Sequence, residues 1–441
     1  MLGRERVLEI LDKALGCSEA DQTHVALGIG QSSLTRFANN VIHQNVSERN
    51  AGLAVKAVIG KKLGFSVTNR LDDDSIKAVV GRAVDFARNS PENPDFVSLP
   101  EPRPIVEADT YDERTAGYSP EDRAKAIAGV IGEAKKVDAI AAGQLSTGYE
   151  EFASANTLGI RAYYPSTAAN LSTVMTADSG YGYAERVAPH IGDFNPIEAG
   201  AEAATRSARS RNPESVEPGE YDVILLPYAV AEFLEFMSWL GFNALAVQEG
   251  RSFMSGRLGD KVTGDNITIW DDGLNPLGIP RPFDTEGVPK QRVDMIVNGV
   301  AKSPVYDSYT AKKEGKQSTG HAVSLTGTYG PMPANMFLQP GSASLEEMIA
   351  SVERGVLVTR FHYTNVIHPV LMTITGMTRD GTFLIENGKV TKPLKNMRFT
   401  DNILERLAHV DMIGRDTMRQ SICVVPAIKA RNFRFTGGTE F

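Results

Sequence analysis

Apolar side chains fall at helical spacing in several stretches of this chain and alternate or run together in others. Val7, Leu8, Ile10, Leu11, Ala14 and Leu15 mark one helical stripe, and Ile76, Val79, Val80, Ala83, Val84 and Ala87 mark a second. The second stripe is preceded by Asp72 to Ser75, which supply an N-cap and favourable charge for a helix start. Ser119-Pro120-Glu121-Asp122 opens a further helix, and Asn195-Pro196 opens one that ends near Arg211. Residues 23–30, 33–47, 51–59 and 62–68 are predicted as strands; in 33–47, Leu34, Arg36, Ala38 and Asn40 alternate loosely with Thr35, Phe37 and Asn39. From 142 to 187 the pattern predicts long strands rich in Thr, Ser, Tyr and Ala, polar enough to leave one face in water.

Residues 90–118 carry five prolines and no period, which predicts a surface connection. Residues 212–220, NPESVEPGE, form a Pro/Glu/Gly linker, and we place a domain boundary there, giving an α/β-type domain over 1–215 and a β-rich one over 216–441. The second half opens on the stretch around which the chain is organised. Val223 to Leu226 is a buried apolar run that Pro227 ends, and Ala229, Phe233, Phe236, Met237 and Leu240 then follow at helical spacing. A regular helix from about Ala229 to Leu240 is expected, with Trp239 off the stripe and assigned to a second core contact rather than to an interface. Short strands are predicted at 267–272, 294–300 and 355–363, a hairpin at Asn387-Gly388, and short helices after Ser344 and Asp401. The fold class that follows is α+β, two domains, each a mostly antiparallel sheet covered by helices.

Composition narrows the functional classes. With 441 residues, two domains are the default, and a net charge of −8 argues against a nucleic-acid footprint. Two cysteines imply no disulfide framework, the N-terminus lacks the apolar core of a signal peptide, and no run is long enough to span a bilayer. A cytoplasmic protein with no membrane partner is expected.

Candidate chemistry is sparse. There is no Gly-x-Ser-x-Gly elbow, no phosphate-binding loop and no dinucleotide fingerprint. Asp72-Asp73-Asp74 is read as a cap, and Glu249 with Arg251 and Glu232 with Glu235 as solvated or paired charges. Zinc needs three or four His, Cys or carboxylate ligands, and none of the seven histidines is paired as His-x-x-x-His on a predicted helix. His362 and His368 flank a strand end and are read as loop or groove histidines, with a ligand pair as the alternative.

The stretches FDTEGVPKQRVDMIVNGV (283–300), STGHAV (318–323) and 363–399, with its TRDG, IENGK and NMRF pieces, resemble the TldD/PmbA family of zinc proteases and their inactivated relatives. In the catalytic TldD branch a His-Glu-x-x-x-His motif follows the strand at this corner. Laid on this chain, it puts Pro227 at the first histidine, Tyr228 at the glutamate and Glu232 at the second histidine. The branch's further cysteine ligand belongs to a segment that here contains Ser318, Thr319, Gly320 and His321. The resemblance is thus to the PmbA/TldE branch and implies no catalytic or metal-ligating residue in this chain. It implies zinc only in a TldD-like protease partner, a peptide substrate, and a role in proteolysis or peptide maturation. Thr319, His321, His362 and His368 remain candidates for a peptide groove or for alternative ligands. The competing readings are a stand-alone hydrolase with a rebuilt site around His321, His362 and His368, a peptide-binding scaffold without a protease partner, and a homodimeric assembly.

Overall fold

The computed structural model describes residues 1–438 and contains two sheets, each with helices packed on it. The first is a six-stranded antiparallel sheet in the order β3-β2-β1-β4-β5-β6. Its strands are β1 (Gln22–Ala38), β2 (Val41–Ile59), β3 (Lys62–Thr68), β4 (Ile140–Asn156), β5 (Arg161–Ala177) and β6 (Gly180–Ala188). Helices α1 (Arg4–Gly16) and α2 (Asp73–Asn89) cover one end of it. Val25, Leu27, Leu53 and Val55 meet the predicted stripes of both helices there. Asp72 caps α2 by accepting the Ser75 N–H. After the short α3 (Glu113–Ala116), α4 (Pro120–Lys135) and α5 (Pro196–Arg209) cover the other end. Ser119 and Asp122 form the reciprocal capping box at the start of α4.

Two sequence expectations change here. The stretch 33–47 is not one strand: it contains the hairpin between β1 and β2, with Asn39 at φ 52° and Asn40 at φ 60°. Two left-handed residues in succession match the twist of the flanking strands, and asparagine tolerates that conformation. The 90–118 connection is not wholly superficial either, since Phe96 and Leu99 pack with Val58 in a small buried cluster.

The second sheet comprises β7 (Gly219–Leu225), β8 (Ile269–Asp271), β9 (Val293–Val297), β10 (Val300–Ala301), β11 (Met336–Leu338), β12 (Arg354–His368), β13 (Thr373–Glu386), β14 (Lys389–Leu394), β15 (Met397–Asn402), β16 (Val410–Gln420) and β17 (Cys423–Gly438). Most pairings are antiparallel; β7 with β12 and β11 with β17 are parallel. Because β17 pairs with both β15 and β7, the strands β7, β12, β13, β15 and β17 close into a ring. Phe361, Phe399, Phe433 and Phe435 belong to its core, and Phe233 of α6 (Pro227–Leu240) stacks on Phe361 at 5.6 Å. The 212–220 segment is not a free thread: Glu214 accepts from Lys395 N–H, donates to the Pro393 carbonyl, and pairs its side chain with Lys392.

Candidate functional site

The strand–helix corner forms as its sequence requires. β7 is buried over Val223 to Leu225, and Pro227 occupies the first turn of α6, where its missing N–H costs nothing. The helix is regular from Pro227 to Leu240 and buries Ala229, Val230, Phe233, Leu234, Met237 and Leu240. Its opposite side carries Glu232, Glu235, Phe236 and Trp239, spaced by three, four and seven. Trp239 is 46% exposed, which corrects the core assignment: at about 100° per residue it falls on the outward side, with Phe236 as a ring neighbour at 6.0 Å.

Tyr228, at the position the resemblance gives to the glutamate, is buried against the first sheet. Its hydroxyl donates to Glu202 Oε1 at 2.9 Å and accepts from Arg186 Nη1 at 3.1 Å and from the Glu185 N–H at 3.3 Å. Glu202 is paired in turn with Arg186 and Arg206, and the Arg206 guanidinium lies over the Tyr228 ring at 5.4 Å. Burial pushes the Glu202 carboxyl up, but Arg206 and Arg186 outweigh it and hold the group below its ordinary range. Burial and the Glu202 charge push the Tyr228 phenol up, so it stays a neutral donor. Nearby, Arg360 stacks over Tyr183 at 4.1 Å and holds the buried Asp380 through Nε at 2.7 Å. Sequence reasoning missed Arg186, Glu202, Arg206 and Arg360; only the i, i+4 spacing of Glu202 and Arg206 on one helix was legible.

Glu232 and Glu235 are not the solvated or paired charges expected. Both are largely buried, and burial pushes both carboxyls up, opposed only in part by the Thr364 and Ser421 hydroxyls respectively. The sign of the pH dependence follows. A carboxyl whose folded pKa is raised binds its proton more tightly in the native state, so it costs stability as pH rises from its ordinary value through the raised one. Glu232→Gln and Glu235→Gln are therefore expected to raise the melting temperature by a few degrees near neutral pH and to leave it unchanged in mild acid. A thermal melt at both pH values checks this, and a loss of stability in both variants at neutral pH would contradict it. Glu249 and Arg251, by contrast, form the exposed pair anticipated.

The remaining candidates are dispersed. His321 is fully buried between Asp271 Oδ1, 2.8 Å from Nε2, and Thr319 Oγ1, 2.9 Å from Nδ1. Burial and Lys290 lower its pKa, so the ring is neutral; Asp271 only accepts, which places the proton on Nε2 and leaves Nδ1 to Thr319. Both nitrogens are committed, leaving no lone pair for a metal. His362 and His368 lie six residues apart on β12, up to ~20 Å along an extended strand. His362 is partly buried, and His368 is exposed with Nδ1 accepting from Leu371 N–H at 3.2 Å. Cys423, at the start of β17, directs its thiol at the Ala231 carbonyl of α6, 3.8 Å away, and burial pushes that thiol well up. Among the described residues no three His, Cys, Asp or Glu side chains converge to hold a metal ion. A zinc ion needs three or four such donors, and at the corner Pro227 offers none while Tyr228 is spent on Glu202 and Arg186. The residues present do not fit the metal.

Two of the segments that carry the family resemblance, 283–300 and 318–323, meet in a buried polar hub. Asp284 accepts from the Glu286, Val288 and Ala322 N–H groups, and Glu286 accepts from Ser308 N–H. Gly287 and Gly320 hold positive φ where the chain passes close to Ser154 and Pro289, so both positions need glycine. Burial and Glu286 push Asp284 up to about 7.

Three consecutive stretches match the PmbA/TldA metallopeptidase domains: domain 1 over 25–87, the central domain over 109–211 and the C-terminal domain over 218–437. Metalloprotease PmbA of Escherichia coli is 24% identical over 95% of this chain and 92% of its own length. Other matches are partial: the aligned stretch spans 55% of a Methanothermobacter thermautotrophicus metalloprotease at 25% identity and 35% of a Buchnera aphidicola TldD homolog at 30%. TldE from Thermococcus kodakarensis superposes with a TM-score of 0.88, covering 98% of this chain and 99% of that one at 22% identity, a likeness of fold. Taken together, the three consecutive domain matches and the near full-length similarity to PmbA show that this chain belongs to the PmbA/TldD metallopeptidase family.

Proposed function

We propose that the chain is a metal-less, TldE-like subunit that pairs with a TldD-like zinc protease and serves the cleavage of unfolded or modified peptides in the cytoplasm. The observation that carries this reading is Tyr228: where the catalytic branch has its general base, this chain has a phenol locked to Glu202 and Arg186. A residue spent on joining two sheets cannot also activate water. The similarity to TldE of Thermococcus kodakarensis and to PmbA of Escherichia coli supports the same branch. The stand-alone hydrolase loses its basis in His321, whose ring is saturated by Thr319 and Asp271.

The test is metal analysis and peptide hydrolysis on the purified chain, alone and mixed with the TldD-like subunit of the same organism. The chain alone is expected to carry no stoichiometric zinc after dialysis and to cleave nothing, and cleavage is expected only in the mixture. Stoichiometric zinc in the isolated chain, lost in His362→Ala or His368→Ala, would refute the proposal.

A further inference from the structure

β5 is longer than the strand beside it. β6 joins β5 only from Ala169 to Ala177, so residues 161–168 meet β4 on one side and no strand on the other. Their neighbours show which way the free backbone points. Thr167 N–H donates away from β4 to the Thr110 carbonyl at 2.8 Å, and the Pro165 carbonyl accepts from Thr110 Oγ1 at 2.6 Å. Residues two apart in an antiparallel ladder turn their backbone groups the same way, so the Tyr163 N–H and carbonyl face outward as well. Neither has a partner among the described residues. Pro165 fits this direction, since at an outward position its missing N–H takes nothing from the ladder.

Facing this edge, residues 105–109 form no backbone hydrogen bond among the described residues. Between the two lies a cavity of about 410 Å³, lined on one side by Arg161 to Pro165 and on the other by Ile105 and Glu107 to Tyr111. The β5 wall is firmly held. Tyr163 donates its hydroxyl to the buried Glu151 at 2.9 Å, Glu151 also accepts from the Leu2 and Gly3 N–H groups, and Tyr164 packs edge-on against Phe283 at 5.0 Å. Arg4 and Arg161 on the lining are balanced by Glu107 and Asp109, so the slot suits neither a polyanion nor a polycation. What both walls leave unpaired is peptide backbone, and a ligand that satisfies them must carry donors and acceptors at strand spacing. At about 3.3 Å per residue, Arg161 to Pro165 spans roughly 13 Å. We infer that this slot binds an extended peptide segment of about four residues, added as a strand to the free edge of β5. The inference deepens the peptide role proposed above and rests on it for the substrate class.

The experiment uses the full chain and a fluorescein-labelled pentapeptide of alternating threonine and valine, blocked at both ends. A second probe is the same peptide N-methylated at every second residue, which removes strand pairing and keeps the side chains. Fluorescence anisotropy is expected to show binding of the first probe and at least about 10-fold weaker binding of the second. Ala108→Trp, which fills the slot, is expected to weaken the first probe by at least about 10-fold while the chain melts as before. Should that variant fail to fold, slowed amide exchange at 105–110 and 161–165 on adding the first probe to the unaltered chain tests the same contact. Equal binding of the two probes, unchanged binding by a folded Ala108→Trp, protection confined to other segments, or no binding up to millimolar chain each overturns the inference. If the slot fails in any of these ways while the mixture with the TldD-like subunit still cleaves peptide, the subunit reading stands. If the slot binds the probe but the isolated chain carries its own zinc and cleaves alone, the slot stands and the subunit reading falls.

Discussion

Glu202→Ala is expected to destabilise the protein by about 3 kcal/mol and to loosen the first sheet from the α6 corner. The carboxylate accepts from Tyr228 and is paired with Arg186 and Arg206, and all four side chains are mostly shielded from water. Removing it leaves two guanidinium groups in a half-buried space with no counter-charge, which costs more than the lost bonds were worth. Tyr228→Phe should cost less, about 1 kcal/mol, because Glu202 keeps both arginines when the hydroxyl goes. The ordering of the two variants carries the information. Chemical denaturation of each, with intact mass and secondary structure verified first, is the measurement. If Tyr228→Phe proved as damaging as Glu202→Ala, the phenol rather than the ion triad would be the element that joins the sheets. The same network ties the two sheets together: Tyr228, at the start of α6, crosses to β6 and α5, so the corner is held by packing and charge.

How much of this was legible in the sequence depended on how local each feature is. The capped helices at Asp72 and Ser119 and the hairpin at Asn387-Gly388 announce themselves within a few residues, and all three formed as expected. The hairpin at Asn39-Asn40 was hidden because its residues continued a plausible alternation, and only paired positive φ values mark the turn. β17 is not among the strands predicted from the sequence, and it carries Pro426 in its interior. A proline inside a long strand is tolerated where its missing N–H has no partner to serve. β17 pairs with β11 through Cys423 and Val424 and with β7 from Ile428 onward, so Pro426 falls in the gap between those neighbours, while β16 shifts register just before it. Trp239 failed for another reason: its average burial in proteins says nothing about the outward face of one helix. The site was the least legible part. Which residues stand at the corner, Pro227, Tyr228 and Glu232, could be read from the chain, but the partners of Tyr228 come from strands and helices 26 to 43 residues away. No local pattern could supply them.

The second large effect concerns Asp271 at the end of β8, which meets the 318–323 segment through His321. Asp271→Ala is expected to cost about 4 kcal/mol and to leave little folded protein at 37 °C. Asp271 has no exposed surface and serves three donors at once: His321 Nε2 at 2.8 Å, Ala334 N–H at 2.8 Å and Asn335 N–H at 2.7 Å. Burial pushes this carboxyl up, yet His321, Lys290 and the backbone donors outweigh it and keep it ionised. Truncation would orphan two buried N–H groups and an imidazole, and would leave Lys290, itself buried, with only Asp284 nearby as counter-charge. His321→Ala removes one donor of the three, so Asp271 keeps its two backbone bonds; that variant should lose about half as much. The comparison separates a structural role for His321 from a chemical one. If His321 serves only to saturate Asp271 and Thr319, His321→Gln, which can still offer a donor to Asp271, should recover part of the stability and all of the activity of a reconstituted complex with a TldD-like subunit. Denaturant titration gives the first quantity and peptide cleavage by the assembled complex the second. A folded His321→Gln variant that assembles normally but cleaves nothing would place the histidine in the chemistry after all.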